Sequence, residues 1–191
     1  MACTTVLLVG VGGQGTILAG DLLAKSAAAA GFDVKISEIH GMSQRGGSVS
    51  TVVRFGDEVH TMVADQGCAD VIVAFEAVEA LRAQEFLAKG GTMFVNREEI
   101  TPVSVRIGNF NMPADTFERL EAINAKMISA GDIARASNSP KSTNVVLMGA
   151  LSTALPFDES IWKDVIEKRV PPKTVQANLA AFEAGREAAQ A

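Results

Sequence analysis

The run Thr5-Val6-Leu7-Leu8-Val9-Gly10-Val11-Gly12-Gly13-Gln14-Gly15 decides the fold class. Its first five residues are apolar or β-branched and stop at a glycine, which is the pattern of a strand buried on both faces. Beyond the glycines, Ile17, Leu18, Leu22 and Leu23 recur at helical spacing and run into the alanines at 27–30. Gly31 then stands where a helix end takes a left-handed residue. Strand, glycine loop and helix form the first half of a βαβ unit, so residues 5–9 are expected at the centre of a mostly parallel sheet.

Outward from that unit, residues 34–39 alternate as a second strand, followed by the polar, glycine-bearing segment 40–47. Residues 48–55 read as a strand, 56–58 as its turn and 59–63 as a returning strand, which predicts an inserted antiparallel hairpin. A buried run at 71–75 leads into a helix over 77–88 that Gly90-Gly91 should end, with 92–95 as the next strand. Further on, 103–105 and 126–128 read as short strands, and 115–123, 132–137 and 143–155 as helices. From about 158 the chain carries two amphipathic helices separated by Pro171-Pro172, the alanine-rich end being a docked helix. The predicted architecture is α/β and Rossmann-like: a mostly parallel sheet with flanking helices, an inserted antiparallel hairpin and C-terminal helices, in one domain spanning 1–191.

A chain of 191 residues suits one domain. Seventeen Lys and Arg against 22 Asp and Glu give a net charge of −5, and no basic block occurs, which argues against nucleic acid and anionic membrane as partners. No apolar run is long enough to cross a membrane and the start lacks the basic residues of a signal peptide, so the chain reads as cytoplasmic. Hydrophobic residues make up 48% and charged ones only 20%, below the roughly 25% usual for soluble domains. That apolar surplus points to a partner chain. The two cysteines, Cys3 and Cys68, cannot form a four-thiolate metal site or iron–sulfur cluster within this chain and read as idle thiols.

Gly10, Gly12, Gly13, Gln14 and Gly15 form a G-x-G-x-x-G pattern between a strand and a helix N-terminus. Such a loop serves a dinucleotide, with Glu38 as its ribose-binding acid, or another anion held by free amides and the helix dipole, or simply close strand-to-helix packing. The second loop, His40-Gly41-Met42-Ser43-Gln44-Arg45-Gly46-Gly47, gathers a ring, a hydroxyl, a carboxamide and a guanidinium among glycines. It emerges at the same sheet edge, where open α/β sheets bind ligands, so the two loops should face one crevice. Arg45 suits phosphate or carboxylate, and Gln14 and Gln44 suit amides, while the bland reading is a solvated loop or a subunit contact. His40 has no nucleophile or metal cluster beside it in the sequence, so it is assigned to holding its loop. Glu76 and Glu79 orient a ligand or charge a first helical turn, and Asn144 caps its helix or faces the crevice. No catalytic or metal-ligating residue is assigned.

Gly-Val-Gly-Gly-Gln-Gly at 10–15, Ser-Glu-Ile-His-Gly-Met-Ser-Gln-Arg-Gly-Gly-Ser-Val at 37–49, Ala-Asp-Val-Ile-Val-Ala-Phe-Glu-Ala-Val-Glu-Ala-Leu at 69–81, and Asn-Val-Val-Leu-Met-Gly-Ala-Leu from 144 occur in that order. Together they resemble the gamma-type subunit or domain of the 2-oxoacid:ferredoxin oxidoreductases, which act on pyruvate, ketoisovalerate or indolepyruvate. Within that family the resemblance is closest to the beta subunit of the indolepyruvate enzyme. It covers roughly residues 5–155.

The resemblance implies a thiamine-diphosphate-dependent complex that oxidatively decarboxylates a 2-oxo acid, here an arylpyruvate such as indolepyruvate, to an acyl-CoA while ferredoxin is reduced. Thiamine diphosphate and the iron–sulfur clusters would belong to a larger partner subunit, and this chain alone would be inactive. Gly10, Gly12, Gly13, Gln14, Gly15, His40, Gly41, Ser43, Gln44, Arg45 and Gly46 would then face the partner and coenzyme A at the shared crevice. Two other readings stay open: a self-contained NAD- or FAD-binding oxidoreductase, and a pure assembly domain. Under the subunit reading, an apolar patch is expected beside the two loops, covered by the partner or by a second copy in a homodimer.

Overall fold

The computed structural model describes residues 3–40 and 47–191, His40 by its backbone alone. The central strand is β1 (Thr4–Val11), and α1 (Thr16–Ala29) follows it across the glycine loop. Gly31, at φ +90°, ends α1 as expected, its amide donating to Ala28 O at 3.0 Å. Then come β2 (Asp33–His40), β3 (Ser48–Gly56) and β4 (Ala69–Ala74). Among the described residues one six-stranded sheet forms, completed by β5 (Leu87–Asn96) and β6 (Lys126–Ile128), in the order β2-β3-β1-β4-β5-β6.

The expected hairpin is misplaced by one strand. β3 pairs antiparallel with β2, from Asp33↔Gly56 to His40↔Val49, and antiparallel with β1, from Thr4↔Phe55 to Val11↔Ser48. Both edges of β3 are therefore taken, and residues 59–63 cannot return along it as a hairpin partner. They cross the sheet face as an irregular strap instead. Arg54 Nη1 donates to the carbonyls of Thr61 and Val63 at 3.2 and 3.1 Å, and the Val59 amide donates to Asp33 at 2.9 Å.

The second helix, α2 (Ala77–Ala83), is shorter than its periodicity suggests; a 3₁₀ turn at Gln84–Phe86 leads straight into β5 (Leu87–Asn96). Gly90 and Gly91 lie inside that strand and do not end the helix. Gly90 takes φ +84°, and a Cβ on Gly91 would lie 2.9 Å from Asp70 O and 3.0 Å from Ala69 O. The β4–β5 register shifts between Ala69 and Val71, so the glycine pair accommodates a bulge pressed against β4.

Residues 103–105, expected as a strand, form part of the short helix α3 (Val103–Arg106), opened by Pro102 and closed by the bond from Arg106 N to Pro102 O. The chain continues through α4 (Thr116–Ala122), β6 (Lys126–Ile128), α5 (Ala130–Ala136), α6 (Thr143–Ser152), α7 (Glu159–Arg169) and α8 (Val175–Gln190). Alternation along β1 divides two cores. Val6 and Leu8 face α1, α6 and the C-terminal helices, whereas Leu7 and Val9 face α2. On the first side Phe55, Phe157, Trp162 and Phe182 stack in series at centroid spacings of 4.9 to 5.9 Å. On the second side α2 and α4 cover only the β1-β4-β5 half, leaving the sheet over β2 and β3 to the strap.

Candidate functional site

The carboxyl ends of β1, β4 and β5 bring the glycine loop against the end of the second loop. The Gly12 amide donates to Gly47 O at 2.9 Å, and Val11 sits in register with Ser48. The glycine loop and the described ends of the second segment, His40 and Gly47, therefore lie at one sheet edge. His40 ends β2 opposite Val49. Gly41, Ser43, Gln44, Arg45 and Gly46 lie outside the described residues.

Gln14 organises the first loop. Its Oε1 accepts from the Val11 amide at 2.8 Å, and its Nε2 donates to Phe75 O at 3.1 Å and to Glu98 at 3.3 Å. A Cβ on Gly10 would fall 2.8 Å from that Oε1 and 2.9 Å from Phe75 Cβ, so the bare backbone at 10 makes room for the carboxamide. Gly13 and Gly15 are required by conformation, at φ +102° and +83°. Gly15 caps α1, and Asn144 from α6 comes within 3.0 Å of the position its Cβ would take. Asn144 thus faces the loop and also accepts from the Val145 amide. The amides of Val11, Gly12 and Gln14 are engaged within the protein. Those left for an anion among the described residues are at Gly13, Gly15 and the first turn of α1.

A dinucleotide fits this edge poorly. Its ribose acid would be Glu38, but β3 stands between β1 and β2, with Leu8, Thr51 and Glu38 in register across the three strands. The acid is thereby moved one further strand, about 4.8 Å, from the glycine loop.

A buried polar network that sequence reasoning missed ties the edge together. Asn96, 2% exposed, donates to Phe75 O at 3.2 Å and to Glu98 at 3.0 Å, and accepts from the Ala130 amide at 3.1 Å. Glu98 therefore receives both Asn96 and Gln14. Beside it, Glu76 caps α2 by accepting from Glu79 N at 2.8 Å, and its other oxygen accepts from Ile100 N at 2.9 Å. Glu79 accepts from Ser48 Oγ at 2.6 Å and pairs with Arg82 at 2.8 Å, which links α2 to the strand that leaves the second loop.

Burial raises the Glu76 carboxyl above its ordinary range, against the pull of the backbone donors at Ile100, Glu79 and Val78. A carboxyl with a raised folded-state pKa stabilises the fold fully below its unfolded pKa and loses that contribution as pH rises through the folded value. In denaturant titrations between about pH 4 and about pH 8, the stability of wild type relative to Glu76→Gln is therefore expected to fall as pH rises. A pH-independent difference would mean that Glu76 titrates as in the unfolded chain.

The apolar surface expected beside the loops is present. A groove of about 320 Å³ has Leu7, Val9 and Val52 as its floor and Ile39, Met62, Val63 and Phe86 along its sides. Ile39 is 67% and Val63 62% exposed, values that mark these residues as surface rather than core. Ser48, Glu79 and Arg82 lie at its polar end. No described helix is long and apolar enough to cross a membrane.

The chain matches the family model described as pyruvate ferredoxin/flavodoxin oxidoreductase over residues 5–188. It is 43% identical over 192 residues to the indolepyruvate oxidoreductase subunit IorB of Thermococcus kodakarensis, covering 97% of this chain and 95% of that protein. Its fold is similar to that of the gamma subunit of the keto/oxoacid ferredoxin oxidoreductase from Geobacter sulfurreducens, with a TM-score of 0.72 at 21% identity over 98% of both chains. It is also similar to the 2-oxoglutarate:ferredoxin oxidoreductase from Magnetococcus marinus, a structure with 2-oxoglutarate, coenzyme A and succinyl-CoA bound. That match has a TM-score of 0.75 at 24% identity and covers 98% of this chain but 31% of the longer one.

Proposed function

Because this chain belongs to the pyruvate ferredoxin/flavodoxin oxidoreductase family, we propose that it is the small subunit of a 2-oxoacid:ferredoxin oxidoreductase acting on indolepyruvate or a related arylpyruvate. The observation that carries the reading is the 43% identity with an indolepyruvate oxidoreductase subunit across nearly the whole of both proteins. Residues 1–191 act as one gamma-type domain in the cytoplasm. The electron carriers and thiamine diphosphate are assigned to a larger subunit, as the family resemblance implies, and the chain's two cysteines, short of the four ligands a cluster takes, agree with that. This chain contributes shape and contacts, not a bond-breaking group.

The larger subunit covers the groove beside Ile39, Met62 and Val63, which accounts for the apolar surplus of the sequence. Coenzyme A enters along the crevice formed with that subunit, where Gly13 and Gly15 offer free backbone amides and His40, Gly41, Ser43, Gln44, Arg45 and Gly46 are assigned to its contacts. Gln14 holds the first loop in shape, because its carboxamide already bonds Val11, Phe75 and Glu98.

The test is co-expression with the larger subunit, followed by assay of indolepyruvate-dependent, coenzyme-A-dependent ferredoxin reduction. Activity is expected only from the complex. Turnover by this chain alone, or a complex that ignores arylpyruvates, would overturn the reading. In the same system Ile39→Asp with Val63→Asp should weaken association roughly 100-fold while leaving the thermal midpoint of the isolated chain unchanged, since both side chains are exposed. Undiminished association would remove the groove from the interface.

A further inference from the structure

Helix α2 is apolar on more than the face it turns to the sheet. Ala77, Ala80 and Ala83 pack in the core with Leu7 and Val9. Val78, Leu81 and Arg82, at i, i+3 and i+4, share another face, and Val78 and Leu81 are buried there. These three residues border a cavity of about 420 Å³ that is walled by Val105 of α3, by Phe110 and by Arg119 of α4. Phe110 lines it while 69% exposed, and α3 has no buried residue, so this segment carries more apolar side chain than the fold itself consumes.

The charged residues lining this cavity are Arg82 and Arg119, both cationic in a chain of net charge −5. Arg82 Nη1 donates to Glu79 at 2.8 Å, and its other guanidinium nitrogens take no partner among the described residues. Among those residues the Arg119 guanidinium has no hydrogen-bond or ion-pair partner at all. Its neighbour Leu120 is packed in the core, which anchors α4 and leaves position 119 at the rim. A free guanidinium offers a planar pair of donors to a carboxylate, and the apolar wall beside it removes an apolar body from water. The volume falls within the roughly 300 to 1,000 Å³ of small-molecule sites, which likewise combine an apolar lining with a few polar anchors.

We propose that the cavity between α2, α3 and α4 binds a small aromatic carboxylate. The ring lies over Val78 and Leu81 and beside Phe110, the carboxylate accepts from Arg119, and Arg82 adds a second positive charge. Arg119 is the discriminating residue because Arg82 also lines the groove beside Ile39, whereas Arg119 does not. The assignment does not rest on the subunit reading, since ligand and variants are tested on this chain alone.

The experiment titrates hydrocinnamate into the purified, isotope-labelled full chain and follows the amide resonances, with the uncharged amide of the same acid in parallel. Saturable shifts are expected at Val78, Leu81, Val105 and Arg119, and the acid should bind about tenfold tighter than its amide, the difference a hydrogen bond to a charged group makes. Arg119→Gln should abolish that preference, and Arg119→Lys, which keeps the charge without the fork, should retain part of it. Both variants should keep the wild-type spectrum elsewhere, because residue 119 is exposed. Equal affinity for acid and amide, no saturation by about 10 mM, or an undiminished preference in Arg119→Gln would overturn the proposal. So would shifts confined to the groove at Ile39 and Val63.

Discussion

Gly149→Ala and Gly185→Ala are each expected to destabilise the chain by about 3 kcal/mol or more, although both put the best helix former into a helix interior. Propensity alone predicts the opposite sign, a gain of about 1 kcal/mol for replacing glycine by alanine. The reason is the crossing of α6 and α8. A Cβ at 149 would lie 2.0 Å from Phe182 O, and a Cβ at 185 would lie 2.0 Å from Val146 O, so each glycine receives the backbone of the other helix. No rotamer relieves a Cβ, and the obstacle is a backbone carbonyl, so the helices must separate. Every residue of α6 from Asn144 to Ser152 is buried, and separation would open a void along its length. It would also shift Asn144 away from Gly15 and loosen the first loop at a distance. Denaturant midpoints measured at constant m-value read the effect. A midpoint that stays or rises would mean that α6 and α8 slide apart without cost.

The second large effect is expected at Asn96. Asn96→Leu keeps the size of the side chain but leaves Phe75 O and the Ala130 amide without their buried partner, and takes one donor from Glu98. Orphaned buried groups cost about 1 to 3 kcal/mol each, so a loss of about 3 kcal/mol follows. Asn96→Asp is expected to be no better near neutral pH. It preserves an acceptor for Ala130 but turns a carboxylate toward Phe75 O and Glu98, where the amide donated. Denaturation gives the magnitude, and amide exchange at Gly12, Gly13 and Gly15 gives the location, because Glu98 is shared with Gln14. A loss of stability without faster exchange at those glycines would separate the network from the loop.

Much of the fold was legible because short-range physics controls it. The apolar run ending at Gly10 is buried on both faces wherever the neighbouring strands fall, and Gly31 ends α1 because the left-handed turn there is local. The four motif segments likewise carried the family, which the match over residues 5–188 bears out. The errors came where a segment's state depends on which edge is vacant. Residues 59–63 have strand composition, but β3 had no free edge for them. Gly90-Gly91 looked like a helix end, yet both serve close approach of β5 to β4. At the edge of the sheet, Gln14 looked like a ligand contact until its partners proved to be Val11, Phe75 and Glu98. Asn96 carried no signal at all, because a lone asparagine at a strand end is usually an exposed one.

By itself, then, the sequence determined the α/β class and the central strand, which follow from periodicity and local turn chemistry, and the family, which the resemblance of four ordered motif segments carried. Only the tertiary structure decided that β3 divides β2 from β1, that half a sheet face beside Ile39 is left to an irregular strap and a groove, and that two helices touch at Gly149 and Gly185. Each of those is a relation between residues far apart in the chain, and it arises from competition for strand edges and close-packed space that no local pattern records.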